Sequence, residues 1–568
     1  MKYLVTSALP YANGPLHFGH MAGVYIPADI FTRHKKMKGE RCIHISGSDE
    51  HGVAIMQNAQ KAGIEYQSYV NEWHKTHKEL FDQYQIEFDF FGQTSSDYHR
   101  EETLKWFDKL YKDGAIEKRT ELQLQCQDCK NMLPDRYVEG ECYVCGYKDA
   151  RGDECPNCGT WIDALKLINP VCKFCNSKNV KAVDSFQWYL VMSKYHEEHK
   201  KWFATKKDSW RKQVVTFVES LSKESLHDRA ITRDLDWGID VPLPDAKGKK
   251  LYVWFDAPIG YVSNTKKYLE VNGIKEDYIA DWWKNNDTKI VNFIGKDNII
   301  FHSIIFPVMS MASGFVNPVS ELPANQYVNL EGKQFSKSKG WYVESDEAIA
   351  QFGPDALRFY LTSLIPDSSD SSFTWKGFEL KINSELANNI GNFINRAMKF
   401  FKKNWPEGIK AEHFESFFKT EHAQKYLDFS KDFHTLLDDF EIRKGQDHIM
   451  GLGAHVNLFI SERAPWTEFK TDQEKAAETI AWSTIYTLVI GAFFAPYLPT
   501  LSQNILTYFG LNRDDALTKA IYQGDIKALE GFFKNGFKLE VEPQGLVPKI
   551  DPKVIEELEA KLKAKVTG

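Results

Sequence analysis

Eight of the nine cysteines fall into four C-x-x-C pairs, Cys126/Cys129, Cys142/Cys145, Cys155/Cys158 and Cys172/Cys175. A C-x-x-C turn aims two thiolates at one ion, and two such turns complete the tetrahedral four-sulfur shell of a structural zinc. Four pairs therefore imply two Zn2+ sites, and the spacing allows either neighbour-by-neighbour or nested pairing. A disulfide framework belongs to small exported domains. This chain has 568 residues, and its opening MKYLVTSALPYANG reaches Pro10 before an apolar export segment can build. A deaminase zinc needs proline directly before a C-x-x-C pair, whereas Pro170 is separated from Cys172 by Val171. Four sulfurs per ion leave no position for substrate, so the metals are expected to be structural.

Two further clusters suit phosphate chemistry. His17-Phe18-Gly19-His20 stands where a helix should begin, and free N–H groups and the positive end of the helix dipole favour phosphate there. Some 300 residues later, Glu331 to Gly340 (EGKQFSKSKG) supplies Lys333, Lys337 and Lys339 between glycines, a composition suited to closing over polyphosphate. Neither a Walker A sequence nor a G-x-G-x-x-G turn follows the first strand: Gly47 and Gly52 have the Walker spacing but lead into Val53.

These groups need a scaffold. The composition, 43% hydrophobic and 26% charged, fits a globular chain of three or four units and excludes disordered and fibrous classes. A net charge of −7 excludes a uniformly basic nucleic-acid coat but leaves room for local patches. Residues 3–9 read as a buried strand and 17–38 as a helix with apolar residues at three- and four-residue spacing. Residues 41–46 read as a second strand, which together make the opening of a parallel α/β sheet. LYVWFDAPIGYV (251–262) and IVNFIGKDNIIF (290–301) are expected to be strands that run into turns. From about 378 the pattern is helical: Leu386, Ile390, Phe393, Ile394, Ala397 and Phe401 share one face, opposite Asn392 and Arg396. Segments 421–443, 447–464 and 473–495 extend an antiparallel bundle, so the apolar run 480–498 is expected to be a buried bundle helix rather than a membrane span. The tail from Asp551 is expected to be an exposed amphipathic helix.

Taken together, HxGH after the first strand and a late F-S-K-S loop resemble the class I aminoacyl-tRNA synthetases. ALPYANGPLHFGH (8–20), SGSDEHG (46–52), WFDAPIGY (254–261), FIGKDNIIFH (293–302), NRAMKF (395–400) and SERAPW (461–466) sharpen the resemblance to the methionyl-tRNA synthetase family. It extends to about residue 545. It implies an α/β fold: a Rossmann-type parallel sheet with an inserted zinc-knuckle connective domain, then an α-helical anticodon-binding bundle. The implied divisions are a catalytic domain in two halves (1–116 and 229–325), the zinc-binding insertion (117–228) and a catalytic-loop and stem-contact region (326–377). The anticodon-binding domain (378–545) and an amphipathic tail (546–568) follow.

The resemblance also implies the family's reaction, with methionine, Mg2+-ATP and tRNA(Met) as partners and no membrane.

 The expected reaction joins methionine to ATP as methionyl adenylate, releases pyrophosphate, and moves the methionyl group to the 3′ end of tRNA, in a cytoplasmic enzyme acting as a monomer. By this match His17, Gly19, His20, Gly295, Asp297 and Lys337 serve ATP, with His17, His20 and Lys337 stabilising charge on the reacting phosphates. Ala8, Leu9, Tyr11, Asp49, Arg233, Trp254, Ala257, Pro258, Tyr261 and His302 form the methionine site. Asp49 takes the ammonium group, and aromatic walls take the polarizable thioether, with Tyr or His donating weakly to sulfur. Asn392, Arg396 and Trp466 read the anticodon. The family pattern further implies nested zinc sites, Cys142, Cys145, Cys155 and Cys158 on one ion and Cys126, Cys129, Cys172 and Cys175 on the other. Two departures stand out: Gln334 occupies the loop's usual first lysine position, after Lys333, and Asn298 falls where an apolar pocket residue is expected. A synthetase with a large editing insertion is disfavoured, because about 110 cysteine-rich residues are too few for one.

Overall fold

The computed structural model describes the whole chain except residues 135, 136, 154, 159, 161, 224, 337–339 and 568. Five parallel strands form the main sheet: β1 (Lys2–Ser7), β2 (Arg41–Ser48), β3 (Phe90–Gln93), β4 (Thr288–Gly295) and β5 (Ala324–Asn325), in the order β5-β4-β1-β2-β3. Leu4 pairs with Ile290 on one side and Ile43 on the other. Apolar residues on both faces make β1 and β4 the centre of the sheet, as burial under helices demands. The chain winds from β1 toward β3 in one direction and from β4 to β5 in the other. A crevice therefore opens beyond the carboxyl ends of β1 and β4, where open α/β sheets bind ligands.

After the Asp97–Lys112 helix the chain leaves the sheet along an antiparallel ribbon, Ile116–Cys126 against Val180–Leu190, paired from Ile116↔Leu190 to Cys126↔Val180 and joined at its base by Arg229–Ala230. The four cysteine pairs lie at its far end. There Val138–Glu141 pairs with Ala150–Arg151 and Ile168–Cys172.

The expected strand over 251–262 is corrected by the structure. Only Lys249–Leu251 is extended, and Val253–Asp256 and Ile259–Val271 are helical. An apolar run of that length suits a buried helix as well as a strand, and here Pro258 starts the second helix rather than ending a strand. The 290–301 segment is strand then turn, as expected.

In the helical region, Gln473–Phe494 runs through the centre of the bundle and is buried continuously from Thr479 to Phe494. Its Ser483, Thr484 and Thr487 hydroxyls donate to carbonyls one turn back, which satisfies them without water. The helices Ala411–Phe418, Pro499–Thr507, Ala516–Tyr522 and Ile526–Phe533 complete the layer and were not expected from the pattern. Two polar knots join bundle and sheet. Arg358, fully buried, donates to Asp29 Oδ2 at 2.7 Å and to the carbonyls of Tyr84, Pro496 and Tyr497. Asp438 of the bundle accepts from His34 Nε2 and Lys38 Nζ, each at 2.8 Å, and from Lys35.

The tail forms the expected amphipathic helix with its charged side exposed, but its apolar side is docked rather than free. Pro552–Thr567 buries Ile555 and Leu562, pairs Lys561 with Glu347 at 2.9 Å and sets Lys565 over the Tyr342 ring. The helix packs against Trp375–Leu380; amphipathic periodicity shows that a face exists but not what meets it.

Candidate active site

β1 ends at Ser7, and Ala8 N–H donates to Phe293 O of β4, so residues 8–16 cross the carboxyl ends of the two central strands. His17 then caps the next helix. Its Nδ1 accepts the Gly19 N–H at 3.1 Å, while His20 Nδ1 accepts the His17 N–H at 3.1 Å. Each Nδ1 is thereby an acceptor. Burial lowers both imidazoles, His17 well below its ordinary range and His20 to about 4, so both are neutral at pH 7. A neutral ring that accepts at Nδ1 carries its proton at Nε2. The pair therefore presents two Nε2–H donors rather than two cations. Gly19 is required sterically: an added Cβ would lie 2.9 Å from the His17 ring and 3.3 Å from Val328 O.

These donors face a cleft of about 770 Å³ lined also by Ala8, Leu9, Tyr11, Asp49, Trp254, Gly295 and Asp297. Nothing lies within 4 Å of an added Cβ at Gly295, which leaves the strand end open to the cleft. Asp297 accepts a hydrogen bond from Tyr327, whose ring lies under Lys296 Nζ at 3.8 Å. Asp49 is half-buried, and its Oδ1, shielded from solvent, has no partner among the described residues. Burial, with the nearby Asp256 charge, pushes its carboxyl well above the usual range, so a cation delivered there would be favoured.

Tyr261 and His302 sit behind the cleft wall. His302 Nδ1 donates to Asn298 O, leaving Nε2 to accept from the Tyr261 hydroxyl at 2.9 Å. Both protons are thus committed within the protein, and the expected weak donation to sulfur requires Tyr261 to turn its O–H away from His302. Asn298 contributes its carbonyl to this network while lining the cleft. Trp254 is 40% exposed and packs on Phe301 with ring centroids 4.4 Å apart. Ala257 and Pro258 join the two helices after it. Arg233 is turned to the carbonyls of Ala230 and Thr232 and over the Tyr252 ring, so it reaches the cleft through Tyr252 rather than lining it.

Lys337 lies outside the described residues. Gln334 and Phe335 line the cleft, whereas Lys333 is set over the Trp341 ring at 4.8 Å. Lys333 is thus directed to Trp341 rather than into the cleft. The cleft also contains residues that sequence reasoning missed. Tyr327, Val328 and Asn329 come from the segment after β5, and Asp153 comes from the cysteine-bearing insertion. Tyr327 stands 30 residues from the carboxylate it orients, and no motif joins the two.

The cysteines form two nested groups, Cys126, Cys129, Cys172 and Cys175, and inside them Cys142, Cys145, Cys155 and Cys158. Sulfur separations are 3.6 and 3.7 Å in the outer group and 3.9 and 3.6 Å in the inner. A tetrahedron with Zn–S bonds of about 2.3 Å has edges of about 3.8 Å, so both groups fit the ion, and the sulfurs are too far apart for disulfides. On the bundle, the Arg396 guanidinium lies over the Trp466 ring at 4.3 Å, and Asn392 is exposed one turn before Arg396.

The parallel sheet, the HxGH helix start and the loop bearing Phe335 define a class I aminoacyl-tRNA synthetase catalytic domain. Residues 3–398 match the family model described as tRNA synthetases class I (M), and residues 405–567 match the anticodon binding domain of methionyl tRNA ligase. A methionine–tRNA ligase of Chloroherpeton thalassium is 39% identical over 519 residues, covering 90% of this chain and 74% of the relative. Another, of Chlorobium luteolum, is 37% identical over 569 residues, covering 98% and 80%. The solved Mycobacterium tuberculosis methionyl-tRNA synthetase in complex with methionyl-adenylate shares the fold, with a TM-score of 0.75 at 20% identity over 96% of this chain and 99% of that one. The chain belongs to the methionyl-tRNA synthetase family.

Proposed function

We propose that the cleft activates methionine with ATP and that the chain then charges tRNA(Met). The observation that carries this is the pair of locked Nε2–H donors facing the same cleft as the unpartnered carboxylate oxygen of Asp49. Asp49 holds the substrate ammonium, and Asp297, oriented by Tyr327, holds the ribose. A methionine carboxylate oxygen attacks the α-phosphorus, and the bond to the β-phosphate bridging oxygen breaks to release pyrophosphate. Neutral donors at His17 and His20 stabilise the extra charge on the α-phosphate oxygens, and Lys337 meets the leaving pyrophosphate. The terminal ribose hydroxyl of tRNA then attacks the methionyl carbonyl, and AMP leaves. Mg2+ arrives with ATP.

The eight paired thiolates would hold two zinc ions, which supply cross-links that fix the tip of the ribbon and no reactive chemistry. Trp466 and Arg396 suit a stacked base, and Asn392 an edge hydrogen bond, for the anticodon. Every group in this scheme comes from one chain, which acts as a monomer in the cytoplasm. ATP–pyrophosphate exchange measured across the amino acids tests the first half-reaction: methionine alone should support rapid exchange, and equal rates with leucine or isoleucine would refute the assignment. Trp466→Ala should lower tRNA charging while leaving methionine-dependent exchange near wild type. Parallel loss of both with a lowered Tm would remove Trp466 from the reader.

A further inference from the structure

On the Asn392–Asn404 helix, positions 392, 396, 399 and 403 recur at intervals of four, three and four, which at 100° per residue places them within about 60° of one another. The opposite face, Phe393, Ile394, Ala397, Met398 and Phe401, is buried. The helix carries Arg396, Lys399, Lys402 and Lys403 and no acidic residue, in a chain whose net charge is −7. Cations concentrated on one exposed stripe of an acidic protein mark a surface for an anionic partner.

The four cations are not equivalent. Lys402 points off the stripe and donates to Leu539 O at 2.7 Å and Glu540 O at 3.2 Å, tying the helix to the following chain. Arg396 lies over Trp466. Lys399 and Lys403 are exposed, and neither makes an ion pair or hydrogen bond among the described residues. They follow Asn392 and Arg396 along the same stripe, one turn and about 6 Å apart.

We propose that Lys399 and Lys403 form a phosphate track for single-stranded RNA, continuous with the base-reading positions Asn392, Arg396 and Trp466. The inference rests on the anticodon reading of those three residues. An ammonium on a flexible stem is a point charge without edge specificity, so this track adds affinity to any loop sequence, while discrimination stays with the three readers.

The test is tRNA binding by the full chain, measured by fluorescence anisotropy from about 50 to about 200 mM salt. Each lost phosphate contact on a single strand flattens the slope of log K against log salt by about 0.7. Lys399→Ala with Lys403→Ala should therefore reduce the slope by about 1.4, so the variant loses about sevenfold less affinity than wild type across that range. It should weaken tRNA(Met) and a transcript with a changed anticodon by the same factor. Lys399→Arg with Lys403→Arg should restore the slope, and a circular dichroism melt checks folding. An unchanged slope, or a changed preference between the two transcripts, would overturn the proposal. A failed base-reading assignment looks different: Trp466→Ala would leave the preference between transcripts intact whatever the lysines do.

Discussion

Phe335 lies face to face on His17, with ring centroids 4.3 Å apart and planes 4° from parallel. The late loop thus reaches back across the cleft to the first residue of the HxGH helix, and its aromatic ring shields the imidazole that burial already keeps neutral. An aromatic pair contributes about 0.5–1.5 kcal/mol beyond area burial.

Phe335→Ala should therefore lower kcat/KM for ATP in pyrophosphate exchange by about two- to tenfold, with the KM for methionine unchanged. Steady-state exchange at varied ATP and methionine separates the two. A change confined to methionine would contradict a role at His17.

Lys337→Ala should depress adenylate formation by about 10²–10³-fold, the scale of removing one donor to transition-state charge, with little change in methionine affinity. Stopped-flow rates within about threefold of wild type would exclude this role for Lys337.

Tyr327→Phe removes the hydroxyl that donates to Asp297 and keeps the ring beneath Lys296. A hydrogen bond to a charged group contributes about 1.5–3 kcal/mol, so the KM for ATP should rise by roughly tenfold or more while methionine binding is unaffected. Isothermal titration with each substrate reads this directly.

Replacing Cys126 and Cys172 by Ser should release one zinc of two, because both belong to the outer group. Metal analysis by mass spectrometry distinguishes this from loss of both ions, which would show that the inner group depends on the outer.

Burial lowers His34 to about 3 and His44 and His302 to about 4, from an ordinary value of 6.5. The unfolded chain therefore binds more protons than the native one between these values. Stability is fully present above pH 6.5 and falls as pH drops toward 4, by up to about 3 kcal/mol for each such group. Denaturant unfolding at pH 7, 6 and 5 should show a progressive loss, and a flat profile would contradict the burial of these rings.

Much of the site was legible because its residues cluster in short stretches. His17, Gly19 and His20 occupy four positions, and the cysteine pairs announce themselves by spacing. Asn392 and Arg396 were placed by helical periodicity, which depends only on local geometry. The Tyr327–Asp297 bond and the approach of Asp153 to the cleft were not legible, because each joins segments that only the tertiary fold brings together. The 251–262 helices failed for a different reason: an apolar run satisfies strand and helix equally until its neighbours are known. Nesting of the cysteine groups was open from spacing, and the family resemblance pointed to the arrangement that the sulfurs adopt.

Nesting also sets an order of assembly. Cys145 and Cys155 are 10 positions apart, whereas Cys129 and Cys172 are 43 apart. Closing the longer loop from a flexible chain costs about 1.3 kcal/mol more, a factor of roughly nine in population. An ion captured by the inner sulfurs folds away much of the chain between the outer ones and shortens the loop they must close. Zinc binding to these groups is therefore expected to run from the inside outward, and limiting zinc should leave a formed tip on an unanchored ribbon.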